Sequence, residues 1–64
     1  MKRKEKRQLA EKIAKYERIV QNSTDKKEIK EAQNKIIELS SHVETIEDIT
    51  DIDEIVQDLL KQNT

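Results

Sequence analysis

The sequence contains no glycine, no proline and no cysteine, one histidine, and a single aromatic residue, Tyr16. Each absence removes a class of structure. Hairpin turns, bulges and phosphate loops mostly need residues that tolerate positive φ or a fixed φ, so the lack of Gly and Pro argues against a β-rich or dinucleotide-binding fold. Without Cys there is no disulfide, and one His cannot complete a four-ligand zinc site. A chain of 64 residues buries only about 60% of its unfolded surface. Small folds usually depend on a disulfide, a metal or a partner subunit, and here only the partner remains. No apolar run approaches the roughly 20 residues that span a bilayer, and no apolar stretch of the signal-peptide kind follows the basic start. The expectation is a cytoplasmic protein that does not engage a membrane.

What is present favours helix. Lys, Glu, Gln, Ala and Leu are strong helix formers, and isoleucine recurs at positions 13, 19, 29, 36, 37, 46, 49, 52 and 55, too apolar a set for a disordered chain. Leu9, Ile13, Tyr16 and Val20 are spaced by 4, 3 and 4 residues, which is one face of a helix predicted over about 4–21. The run Asn22-Ser23-Thr24-Asp25 then supplies turn and cap residues, with Asp25 and Glu28 at the spacing of a capping box. Ile29, Ala32, Ile36, Leu39 and Val43 carry a second helix over about 25–43, antiparallel to the first.

After Val43 the rhythm changes: Ile46, Ile49, Ile52 and Ile55 are each three apart, and at about 100° per residue each such step drifts by about 60°. One straight helix would expose some of these isoleucines. The spacing therefore predicts a break around Glu44 to Ile49, with Thr45 and Thr50 as candidate caps and Thr50 the stronger, because Asp51, Asp53 and Glu54 follow it in the first turn. The third helix is expected over about 51–61, packed across both others through Ile52, Ile55, Val56, Leu59 and Leu60. The fold class is thus all-α, a small three-helix bundle forming one domain over 1–64. Met1 to Arg3 and Gln62 to Thr64 are expected to fray.

Charge is distributed unevenly. Residues 1–20 hold eight Lys or Arg against three Glu, residues 21–43 four of each sign, and residues 44–64 seven acids against Lys61. In the last third Glu44/Asp48, Glu47/Asp51 and Glu54/Asp58 are like-charge pairs four apart, so the segment wants a cation nearby. Three readings follow. The first and third helices, or two copies of the chain, neutralise each other. Alternatively Lys2, Arg3, Lys4, Lys6 and Arg7, with Lys12, Lys15 and Arg18, form a basic surface for nucleic-acid phosphates. Against that, no aromatic or Arg/Asn reading face accompanies the charge. In a third reading the acidic helix fits a basic groove, as an inhibitor or antitoxin would.

Catalytic chemistry finds little support. His42 and Glu38 lie a turn apart but make at most a two-ligand metal site, and Ser40 and Ser41 point away from the His in a helix with no oxyanion-forming turn. Asp48, Asp51, Asp53 and Glu54 resemble a calcium loop only superficially, since the central Gly is missing. Tyr16 is in register with the apolar stripe and reads as packing. No cofactor, metal or small-molecule substrate is expected. Ile37 falls outside the main stripe of its helix, and with Ile19 and Ile46 or Ile49 suggests an apolar patch. The expected function is protein–protein interaction, as a homo-oligomer or a regulatory subunit of a larger assembly, through Ile19, Ile37, Ile46, Ile49, Ile52, Val56 and Leu60. Nucleic-acid binding is the alternative.

Overall fold

A computed structural model describes residues 1–62 as three helices, α1 (Arg3–Asn22), α2 (Lys26–Ser41) and α3 (Ile46–Lys61). The chain is a small all-α three-helix bundle in which α1 packs against both α2 and α3. Arg3 is already helical, while Asn63 and Thr64 lie outside the described residues.

Local chemistry sets the helix boundaries. Asp25 caps α2 by accepting from the Lys27 N–H at 3.0 Å, satisfying one of the donors that a helix start leaves without a partner. Ser23 supports this turn, its hydroxyl oxygen accepting from the Asp25 N–H at 3.2 Å. The predicted bond to the third residue of a capping box is thus replaced by one to the second. At the other end α2 stops at Ser41, with the His42 N–H donating to the Leu39 carbonyl at 3.3 Å.

The start of α3 differs from the sequence expectation. The helix begins at Ile46 rather than Asp51. Its cap is Thr45, which accepts from the Asp48 N–H at 3.2 Å. Thr50 lies inside the helix, its hydroxyl donating to the Ile46 carbonyl at 3.0 Å. The drifting isoleucine spacing is real, but the helix does not break to relieve it. The drift is instead accommodated by exposure, Ile46 being 83% and Ile49 46% exposed while Ile52 is buried.

Packing is organised around α1. Ala10, Ile13 and Ala14 of α1 meet Ile52 and Val56 of α3 in a buried cluster, flanked by Leu9, Ile36, Leu39, Val43, Ile55, Leu59 and Leu60. Two alanines on the contacting face let α3 approach α1 closely, and Ile52 and Val56 fill the space they leave. Lys6 near one end of α1 reaches Asp51, and Arg18 near the other reaches the Leu59 carbonyl, so polar contacts tie α3 to α1 on either side of the shared core. The expectation that α3 lies across both other helices needs correction: α3 rests on α1 and barely touches α2. The Cα atoms span 35 × 26 × 15 Å, a flattened arrangement with α1 as the spine. The accessible surface is 5171 Å², against about 4,300 Å² for a compact monomer of this mass.

Candidate protein interface

Because α2 and α3 hardly meet, a cleft opens between them over one side of α1. Its floor and walls are Ile13 and Glu17 of α1, Ile36 and Ser40 of α2 with Val43 just beyond, and Ile49, Ile52, Asp53, Val56 and Gln57 of α3. Its volume is about 130 Å³, below the roughly 300 Å³ of small-molecule sites. The cleft runs on along the α1–α2 seam, where Glu17 and Ile36 are joined by Val20, Gln33 and Ile37. Ile37 is 66% exposed on this rim. On α3, Ile46 precedes Asp53 by seven residues, two helical turns, and so extends the same flank as Ile49 and Asp53.

The charge of this face is one-sided. None of the residues lining either stretch is Lys or Arg, whereas Glu17 and Asp53 are acidic. Glu17 is partly buried and makes no ion pair or side-chain hydrogen bond among the described residues. Its neighbours one turn away on α1 are Ile13, Ala14, Val20 and Gln21, so its own helix offers no cation. Sequence reasoning passed over Glu17. The signal was its position four residues after Ile13 and between Tyr16 and Val20, an acid set into the apolar stripe.

The opposite flank of α3 is held by cations. The Lys6 ammonium lies 2.7 Å from Asp51 and 3.2 Å from Asp48, with the chain's first amino group 3.8 Å from Asp48. Hydrogen bonds from Lys6 to Asp51 and then to Asp48 raise the Lys6 pKa above its ordinary 10.5. The Thr45 hydroxyl, followed by Lys6, holds the Asp48 carboxyl below its ordinary 3.8. Further along, the Arg18 guanidinium donates to the Leu59 carbonyl at 3.1 Å, near the end of α3. One lysine and one arginine thus join the basic and acidic thirds of the chain within a single molecule.

No protein-family model, curated protein or solved structure matches the chain.

Of the residues singled out for an interface, Ile37 and Ile49 border the open face and Ile46 extends it. Ile52 and Val56 do not serve as exposed contacts, being 3% and 2% exposed in the core against α1; only their edges reach the cleft. Leu60 is partly buried against the same core. Ile19 lies apart, at the α1–α2 turn beside Asn22, Ser23 and Asp25, because it falls about 120° around α1 from Ile13.

The eight cations considered for nucleic acid do not share one surface. Lys6 and Arg18 are engaged with α3. Arg3, Lys4 and Arg7 line a concavity of about 650 Å³ on the far side of α3 with Ile55, Asp58, Leu59 and Gln62, and Arg7 also pairs with Glu11 at 3.5 Å. Lys12 and Lys15 border α2 beside Tyr16, Lys35, Glu38 and Leu39. Lys2 precedes α1, its N–H donating to the Glu5 carboxylate at 3.4 Å. His42 is exposed at the end of α2, and Glu38 pairs with Lys35 at 3.7 Å. Among the described residues no group of three or more His, Asp or Glu is placed to hold a metal ion, and no helix is long and apolar enough to cross a membrane.

Proposed function

We propose that this chain is a protein-binding module, not an enzyme, and that the open face between α2 and α3 is the surface it offers to another protein. The observation that carries this reading is the exposure of Ile37 and Ile49 on the walls of one cleft, at 66% and 46%, with Ile46, 83% exposed, on the same flank of α3 as Ile49. Scattered exposed aliphatics are ordinary, but several bordering a common apolar trough are characteristic of interfaces. The trough is small and places no imidazole or lysine beside its one hydroxyl, Ser40, which suits a side-chain ridge from a protein better than a substrate. A nucleic-acid role is less well supported, because the cations point in several directions and two are tied to α3.

Sedimentation velocity at low and high salt, with and without a generic oligonucleotide, tests the reading. It expects no shift on adding the oligonucleotide. Any self-association is expected to be insensitive to salt and removed by Ile46→Lys. An oligonucleotide-dependent shift that disappears at high salt overturns it, since loss of binding with salt is the mark of phosphate contacts.

A further inference from the structure

We infer that the occupant of the α2–α3 face is a cationic amphipathic helix of another protein, which lays its apolar ridge along Ile36, Val43 and Ile49 and directs a Lys or Arg to Glu17. The inference rests on the protein-binding reading above and adds the chemistry of the partner.

The argument begins with Glu17. A carboxylate leaving water loses hydration that only a cation or hydrogen-bond donors restore. Glu17 is partly withdrawn from water, yet no Lys or Arg is among the residues lining the two stretches of cleft it borders, which are apolar apart from Asp53, the amides Gln33 and Gln57 and the hydroxyl of Ser40. The opposite flank of α3 contrasts with this, since Lys6 neutralises two of its carboxylates. A partner that covered the cleft with apolar groups alone would strip Glu17 and Asp53 of water without compensation. A partner with Lys or Arg bordering its apolar stripe supplies the missing charge as it covers the isoleucines, and such complementarity selects the partner and sets its register.

The extent of the lining agrees. It reaches from Gln33 to Val43 on the α2 side and from Ile49 to Gln57 on α3, so about two to three turns of a partner helix can lie along it.

A second copy of the chain fits less well. A two-fold contact brings the same patch against itself, which would oppose Glu17 and Asp53 of one copy to those of the other with no base in the lining. Nor can the chain's own basic helix act as the ligand, because its apolar residues Ala10, Ile13 and Ala14 are already buried.

The test uses three synthetic peptides of about 18 residues, long enough for five turns. The first is an amphipathic helix with a leucine face bordered by lysines. The second has glutamates in place of the lysines, and the third has the first peptide's composition in scrambled order. Affinity is read by fluorescence anisotropy and the site by methyl NMR of the full chain. The expected result is binding of the first peptide only, with shifts at the Ile13, Ile36, Ile49 and Ile52 methyls. E17Q is expected to weaken it about tenfold, the order found for losing one close charge partner at an interface. E54Q, with the same change in net charge on the exposed side of α3, is expected to change affinity less than about twofold. Circular dichroism of both variants checks that the helices remain.

Equal binding of the lysine and glutamate peptides at the cleft overturns the cationic partner and leaves the protein-binding reading standing. So does salt-insensitive dimerisation that shifts the cleft methyls, which makes a second copy the occupant. Equal effects of E17Q and E54Q also overturn the inference, reducing it to general attraction. Absence of cleft shifts with every peptide, in a chain that stays monomeric, overturns the inference and the docking reading together.

Discussion

The two flanks of α3 carry similar residues and have different fates. On the flank toward α1 and its cations, isoleucine and valine are buried against alanines, acids are met by Lys6, and Arg18 meets a carbonyl near the helix end. On the flank toward α2, Ile46 and Ile49 stay exposed and Asp53 has no ion pair among the described residues. The difference arises from α1, which supplies small residues and long cations to one flank and, at the cleft, only Ile13 and the acid Glu17 to the other. Apolarity alone does not bury a residue; a neighbour of suitable shape must be present.

The largest test of this contrast is truncation of one isoleucine on each flank. Ile52→Ala is expected to cost about 2–5 kcal/mol in urea unfolding, a large part of the total stability of so small a domain. Ile46→Ala should stay within about 0.5 kcal/mol, as surface substitutions do. Equal losses would show that Ile46 is covered in solution, by a second copy or by closure of α2 on α3.

A smaller effect separates the two threonines. Thr45→Ala should destabilise by about 1 kcal/mol, the usual loss of a cap. Thr50→Ala should be neutral or slightly stabilising, because alanine is the better helix former and a hydroxyl bonded back to the preceding turn adds little. The reverse order, read from thermal unfolding, would return the helix start to Asp51.

The smallest effect concerns pH. Asp48 has a lowered pKa in the folded chain, so its contribution is present above the ordinary carboxylate value and is lost as pH falls through the lowered one. Lys6 has a raised pKa, so its contribution is present below the ordinary lysine value and is lost as pH rises through the raised one. Stability from this pair should be level between those limbs and decline beyond them. Lys6→Met is expected to flatten the alkaline limb fully and the acid limb only in part, since Thr45 is the larger influence on Asp48. An unchanged alkaline limb in the pH series would show that the Lys6 contacts do not persist in solution.

Much of the fold was legible because it depends on local regularities. The 4, 3, 4 spacing from Leu9 to Val20 and the cap residues before Lys26 placed α1 and α2 to within a residue or two of Arg3–Asn22 and Lys26–Ser41. The start of α3 was misplaced because a stripe with three-residue spacing was judged by the rule that isoleucines seek burial. That rule holds on average, and Ile46 departs from it. The site was legible in part. Ile37 stood out from its stripe and is exposed, but Ile52 and Val56 were assigned to an interface and belong to the core. Glu17 is not legible in the sequence as a site residue, because an acid in an apolar stripe matters only through the residues that tertiary structure brings beside it.

Composition and periodicity by themselves determined that the chain is helical, where its first two helices run, and that its two ends carry opposite charge. These are properties of single segments, set by backbone freedom, side-chain spacing and formal charge. Tertiary structure decided which isoleucines are covered, that Lys6 joins Asp48 and Asp51, and that Glu17 borders an open apolar trough. Those outcomes depend on how three helices are placed against one another, and α1 has small residues enough to seat α3 closely on one side while leaving the other side open.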